Sequence, residues 1–115
     1  MRAAVVLALV ALALPSVALA SSSRRYSGTT AQGLSVSFTL ASGKVERFRA
    51  RVRCTSSRPQ TFTFPTVRVS RRGRFAVHQA GPSLDGRLRG SRASGTLTLP
   101  GCDASANEVR FTARA

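Results

Sequence analysis

From about residue 25 to residue 114, apolar and polar residues alternate with a period of two. Leu34, Val36, Phe38 and Leu40 are separated by Ser35, Ser37 and Thr39, and Phe48, Ala50 and Val52 by Arg49 and Arg51. Leu97 and Leu99 flank Thr98, while Val109, Phe111 and Ala113 flank Arg110 and Thr112. Successive side chains of a strand point to opposite faces, so each run reads as a strand with one buried and one wet side. No stretch beyond residue 20 sustains a helical period. Ser42-Gly43, Ser56-Ser57-Arg58-Pro59, Arg71-Arg72-Gly73, Gly81-Pro82 and Gly90-Ser91 punctuate the runs, so a turn recurs every ten residues or so.

The expected strands cover 25–30, 33–41, 44–54, 60–69, 73–79, 83–90, 92–99 and 107–114. Eight short strands joined by tight turns predict an all-β, antiparallel meander, closed into a flattened barrel or stacked as a sandwich. The fourth strand holds an inconsistency. With Phe62 and Phe64 inward, strict alternation buries Arg68, whereas a bulge at Pro65-Thr66 turns Val67 and Val69 inward instead, and proline is tolerated at bulges.

Residues 1–20 read as a secretory leader. Ala3 to Leu14 is apolar without a break, Pro15 interrupts it, and Ala18-Leu19-Ala20 supplies a small-x-small cleavage pattern before Ser21. A membrane span needs roughly 20 apolar residues, which this run does not reach. No cysteine follows the cleavage site, so a lipid anchor has no attachment point. The expected mature protein is one domain over 21–115, secreted, with association at the cell envelope left open.

A domain of that size buries roughly 60–70% of its unfolded surface and gains from a covalent staple. Cys54 and Cys102 are the two cysteines, and in an oxidising compartment they are expected to form a disulfide. In a meander all odd-numbered strands end at the same pole, which suits Cys54 at the end of the third strand and Cys102 just past the seventh. A round eight-stranded barrel would hold those strands on opposite walls, yet bridged Cα atoms lie within about 7 Å. The barrel must then be flattened, or the loop over 100–107 must fold across its mouth. Phenylalanines, leucines and valines from every strand fill the interior and leave little room for a carried ligand.

Charge is the compositional outlier. Beyond Arg2, seventeen basic residues face only Glu46, Asp85, Asp103 and Glu108, a net charge of +13, and Lys44 is the single lysine. Such a chain attracts polyanions. Parity places Arg47, Arg49, Arg51 and Arg53 on the outer face of the third strand, Arg87 and Arg89 on the sixth, and Arg110 and Arg114 on the eighth. These eight are the candidate anion-binding residues, with "ERFRARVRC" (Glu46 to Cys54) the densest row.

"YSGTTAQG" (Tyr26 to Gly33), the central Cys54, "GRF" (Gly73 to Phe75), "ASGTL" (Ala93 to Leu97), the late Cys102 and "FTAR" (Phe111 to Arg114) resemble small secreted proteins of actinobacterial type. The resemblance spans most of the mature chain. It implies secretion and β structure and assigns no site residues.

Catalysis needs a positioned acid, base or nucleophile. The single histidine, His78, points outward by parity with Phe75 and Val77, and a set built from His78, Asp85 and a serine lacks a nucleophile-elbow sequence. Four scattered acids offer no paired carboxylates, and metal-ligand spacing, phosphate-loop glycines and cofactor fingerprints are missing from the sequence. The expectation is a protein that is not an enzyme and takes no cofactor. Aromatic residues fall on the inner face, leaving Tyr26 as the one stacking platform, so specific reading of nucleic acid is not expected. Two functions stay open: association with anionic envelope polymers or lipid headgroups through the arginines, and an extracellular structural or protein-interaction module with a partner of unknown identity.

Overall fold

The computed structural model describes residues 23–54, 58–102 and 107–115, and the leader read over residues 1–20 lies outside them. Nine strands follow in chain order: β1 (Ser23–Thr30), β2 (Ser35–Ala41), β3 (Lys44–Val52), β4 (Gln60–Phe64), β5 (Val67–Arg68), β6 (Arg74–Val77), β7 (Ser83–Arg89), β8 (Arg92–Thr98) and β9 (Glu108–Arg114). They form a single antiparallel sheet in the order β4-β3-β2-β1-β9-β8-β7-β6, with β5 also on β3. The sheet curls around its apolar side as a half-barrel. The meander expectation holds, and of its two closures the single curled sheet is adopted rather than two stacked ones. The first and last strands are hydrogen-bonded to one another, so the sheet is closed at its termini and open in the middle of the chain.

The bulge expected at Pro65-Thr66 is where the expected fourth strand divides into β4 and β5. Phe64 is buried and Val67 and Val69 are half-buried on the same side, three residues out of phase, while Arg68 is exposed. The ladder to β3 keeps one register through this break, with Phe64 opposite Phe48 and Val67 opposite Val45. β3 must therefore change phase at the same level, and it does. Val45 and Phe48 are both buried, with Glu46 and Arg47 between them, and Arg47 takes a left-handed backbone at φ 54°. β2 alternates without interruption, so the β2–β3 ladder absorbs the extra residue as a bulge opposite Phe38. A left-handed first residue in a bulge is ordinarily glycine, and an arginine there strains the backbone by about 1 kcal/mol or more.

The core is a cluster of sixteen buried side chains contributed by every strand except β5. Its centre is aromatic. Tyr26 stacks on Phe38 at 4.8 Å, Phe38 on Phe48 at 5.5 Å, and Phe111 and Phe64 meet Phe48 edge-on at 5.3 and 5.6 Å. Two cross-strand glycines give the rings space. The Phe75 ring lies where a Gly86 side chain would stand, and the Phe111 ring does the same at Gly95.

Two of the short sequence motifs have structural work in this sheet. In "YSGTTAQG", the Tyr26 hydroxyl donates to the Gly90 carbonyl at 2.9 Å, tying β1 to the β7–β8 turn. Gly28 faces β9 so closely that a Cβ would stand 1.9 Å from the Thr112 carbonyl oxygen. Buried Thr30 accepts the Gln32 and Leu34 amides through its hydroxyl. Gln32 then clamps the end of β3, its amide donating to the Arg53 carbonyl at 2.9 Å while its carbonyl accepts the Arg53 N–H at 2.8 Å. Gly73 of "GRF" packs against the Leu88 carbonyl, and its own carbonyl accepts the Leu88 N–H at 2.7 Å.

The disulfide joins Cys54, past β3, to Cys102, past β8, with Cα atoms 4.8 Å apart. Curling brings these strands together. The link from β5 to β6 turns at Ser70, whose N–H donates to the Arg74 carbonyl, and the edges are not paired beyond it. Cys54, Gln60, Phe62, Pro82, Leu99 and Cys102 together line a pocket of about 210 Å³ at the opposite end, so the bridge fastens the half-barrel where its two edges part. Residues 103–106 of the expected mouth loop, Asp103 among them, lie outside the described residues.

Candidate anion-binding face

Burying one side of each strand leaves the other to water, and the register decides which outward residues become neighbours. From β4 to β7, one row reads Thr63, Arg49, Ser37, Ser27, Arg114, Arg92 and Arg89. The adjacent row reads Ser35, Thr29, Thr112, Ser94, Arg87 and Arg74. Both consist only of arginine, serine and threonine.

All eight arginines singled out by parity face outward. Arg47, Arg49, Arg51, Arg53, Arg89, Arg110 and Arg114 are exposed and Arg87 is partly so. The structure does not gather them into one patch. Arg47, Arg49, Arg51 and Arg53 follow β3 along its length, and the β2 and β1 serines separate them from β9 by three interstrand steps, about 14 Å. Arg47 and Arg49 share a groove of about 420 Å³ with Arg25, Ser37, Thr39 and Thr63, formed at the β3 bulge. Arg110 stands in a third row beside Thr96 and Asp85.

A denser group lies on β6 to β9. Arg89 is directly opposite Arg92, Arg92 is opposite Arg114, and Arg74 is opposite Arg87. Five arginines thus occupy four neighbouring strands, and Arg74 and Arg92 are additions to the eight expected from parity. The signal for Arg92 was in the sequence: the two-residue turn Gly90-Ser91 makes Arg89 and Arg92 partners, and inward Leu97 and Leu99 turn Arg92 outward. Arg74 depended on the β6–β7 register, which no turn of fixed length specifies.

Like charges on directly opposed strand positions destabilise a sheet. Among the described residues no arginine is paired with a carboxylate, and the one carboxylate contact is His78 Nε2 with Asp85, at 3.2 and 3.3 Å to its two oxygens. The group is therefore an uncompensated field of guanidinium donors, each a planar fork that matches phosphate or carboxylate oxygens. It borders a groove of about 520 Å³.

His78 and Asp85 face water near the open edge, their side chains 69% and 60% exposed, which is the setting of a solvated surface pair. No group of three metal-binding side chains occurs among the described residues. Tyr26 does not serve as a stacking platform. It is fully buried because β1 is a central strand, and its ring lies against Phe38.

Against known protein families, curated proteins and solved structures, the chain finds no match. Its function has to be read from the face itself.

Proposed function

We propose that the protein is a non-catalytic secreted β domain that associates with anionic polymers of the cell envelope through its outer face. The observation that carries this reading is the placement of Arg89, Arg92 and Arg114 side by side with no carboxylate between them. Folding alone disfavours that row, and a bound polyanion relieves it. A face of arginine, serine and threonine suits a polymer that offers charged groups and hydroxyls in water. Association releases counterions from the polymer, so affinity falls as salt rises. Export is consistent with the disulfide, and no described helix is long and apolar enough to cross a membrane.

The test is retention of the mature, oxidised protein on isolated cell walls across a salt series. Retention at low salt and release by 0.5 M NaCl are expected, since the screening length contracts from about 30 Å at 0.01 M to about 3 Å at 1 M. Retention that does not weaken with salt refutes the reading. A second reading, a protein-interaction module, draws on the unpaired edges of β4 and β6. It requires that a bound envelope protein survive replacement of Arg89, Arg92 and Arg114 by threonine.

A further inference from the structure

The groove beside the five-arginine group has an internal order that a general basic surface lacks. Its rims are the two rows already described. One carries Arg89, Arg92 and Arg114 and ends at Ser27; the other carries Arg87 and then the hydroxyls of Ser94, Thr112 and Thr29. Between them runs the row Ala93, Ala113 and Gly28, whose alanine side chains turn inward to the core, so the floor of the groove is backbone. That floor follows from the fold. At Gly28 the strands approach so closely that no Cβ fits against the Thr112 carbonyl, so this part of the floor carries no side chain on either face. The hollow crosses four strands, about 14 Å from β7 to β1.

From this order we infer that the groove is a binding site for a phosphodiester-linked polyol, its phosphates on the arginine row and its hydroxyls on the serine and threonine row. The inference rests on the envelope reading above and gives that reading a site and a ligand class. Tetrahedral phosphate oxygens accept from two or three guanidinium forks set around them, whereas a planar carboxylate is satisfied by one fork. Neighbouring forks on adjacent strands, about 5 Å apart at their Cα atoms, supply the first arrangement. The source is a soluble or wall-linked polymer and not a bilayer, because neither rim carries an apolar side chain to enter lipid.

The test uses the mature, oxidised protein and two triple variants with the same loss of charge, R89T/R92T/R114T and R49T/R51T/R53T. Threonine suits exposed strand positions, and thermal melts establish that both variants fold. Synthetic poly(glycerol phosphate), polyglutamate and phosphatidylglycerol vesicles are titrated at 50 mM NaCl. The expected result is a poly(glycerol phosphate) affinity at least tenfold above that for polyglutamate. The β7–β9 triple should lower it at least tenfold and the β3 triple less than threefold. Equal losses in the two triples overturn the site while the general envelope reading stands. Equal affinity for polyglutamate overturns the phosphate assignment, and tighter binding to vesicles than to the free polymer overturns the polymer source. Wild-type protein that ignores all three overturns the site and, when it also fails on cell walls, the envelope reading with it.

Discussion

Removing the disulfide should cost this fold a large share of its stability. The bridge spans a sequence separation of 48. Closing a loop of that length in the unfolded chain removes about 14 cal/mol/K of entropy, or about 4 kcal/mol at 25 °C. A domain of this size is stable by roughly 5–14 kcal/mol in total, so the loss takes between a third and most of it. The position of the bridge adds a local expectation. It fastens the end where the β4 and β6 edges separate, and no other described hydrogen bond joins those edges there. In a C54S/C102S variant, urea melts should show about 4 kcal/mol less stability, and the thermal midpoint should fall by roughly 15–30 °C. Amide exchange should accelerate first in Gln60–Phe64 and Arg74–Val77, ahead of the central β1 and β9. A loss below 1 kcal/mol would refute the entropic estimate. Faster exchange in β1 and β9 with β4 and β6 still protected would refute the view that the bridge guards an open seam.

Replacing Gly28 by valine drives a side chain into the Thr112 carbonyl and should destabilise by at least 3 kcal/mol or prevent folding, read from expression and circular dichroism. Tyr26→Phe removes the bond to the Gly90 carbonyl but keeps the stacked ring, so a loss of about 1 kcal/mol is expected in denaturant melts. Arg92→Thr should stabilise the fold by about 0.5–1.5 kcal/mol at low salt, because it removes two directly opposed like-charge pairs, and the gain should shrink by 0.5 M NaCl. An Arg92→Thr variant less stable than wild type at low salt would show that the row is not repulsive.

How much was legible in the sequence can be seen strand by strand. Alternation and the turn signals between runs located the strands, and the conflict between Phe64 and Arg68 located the break at Pro65-Thr66 that divides the expected fourth into β4 and β5. It did not reveal the matching bulge at Arg47, because "ERFRARVRC" alternates correctly from Arg47 onward and only the continuous β3–β4 ladder forces Val45 to share a side with Phe48. Knowing that neighbouring strands must change phase together would have exposed it. The candidate face was legible as a list of outward arginines and not as a site. Parity assigns a residue to a side of its strand, and tells nothing about which residue of another strand stands beside it.

The sequence by itself determined the fold class, the inner and outer residues of the strands apart from Tyr26 and Val45, and the pairing of the two cysteines, because these depend on local periodicity and on there being one possible partner. Only the tertiary structure decided that the termini meet in the middle of the sheet and that the half-barrel opens between β4 and β6. It also decided that Arg89, Arg92 and Arg114 fall in one row. Those outcomes depend on long-range register, which is set by how sixteen buried side chains and the close approach at Gly28 pack together.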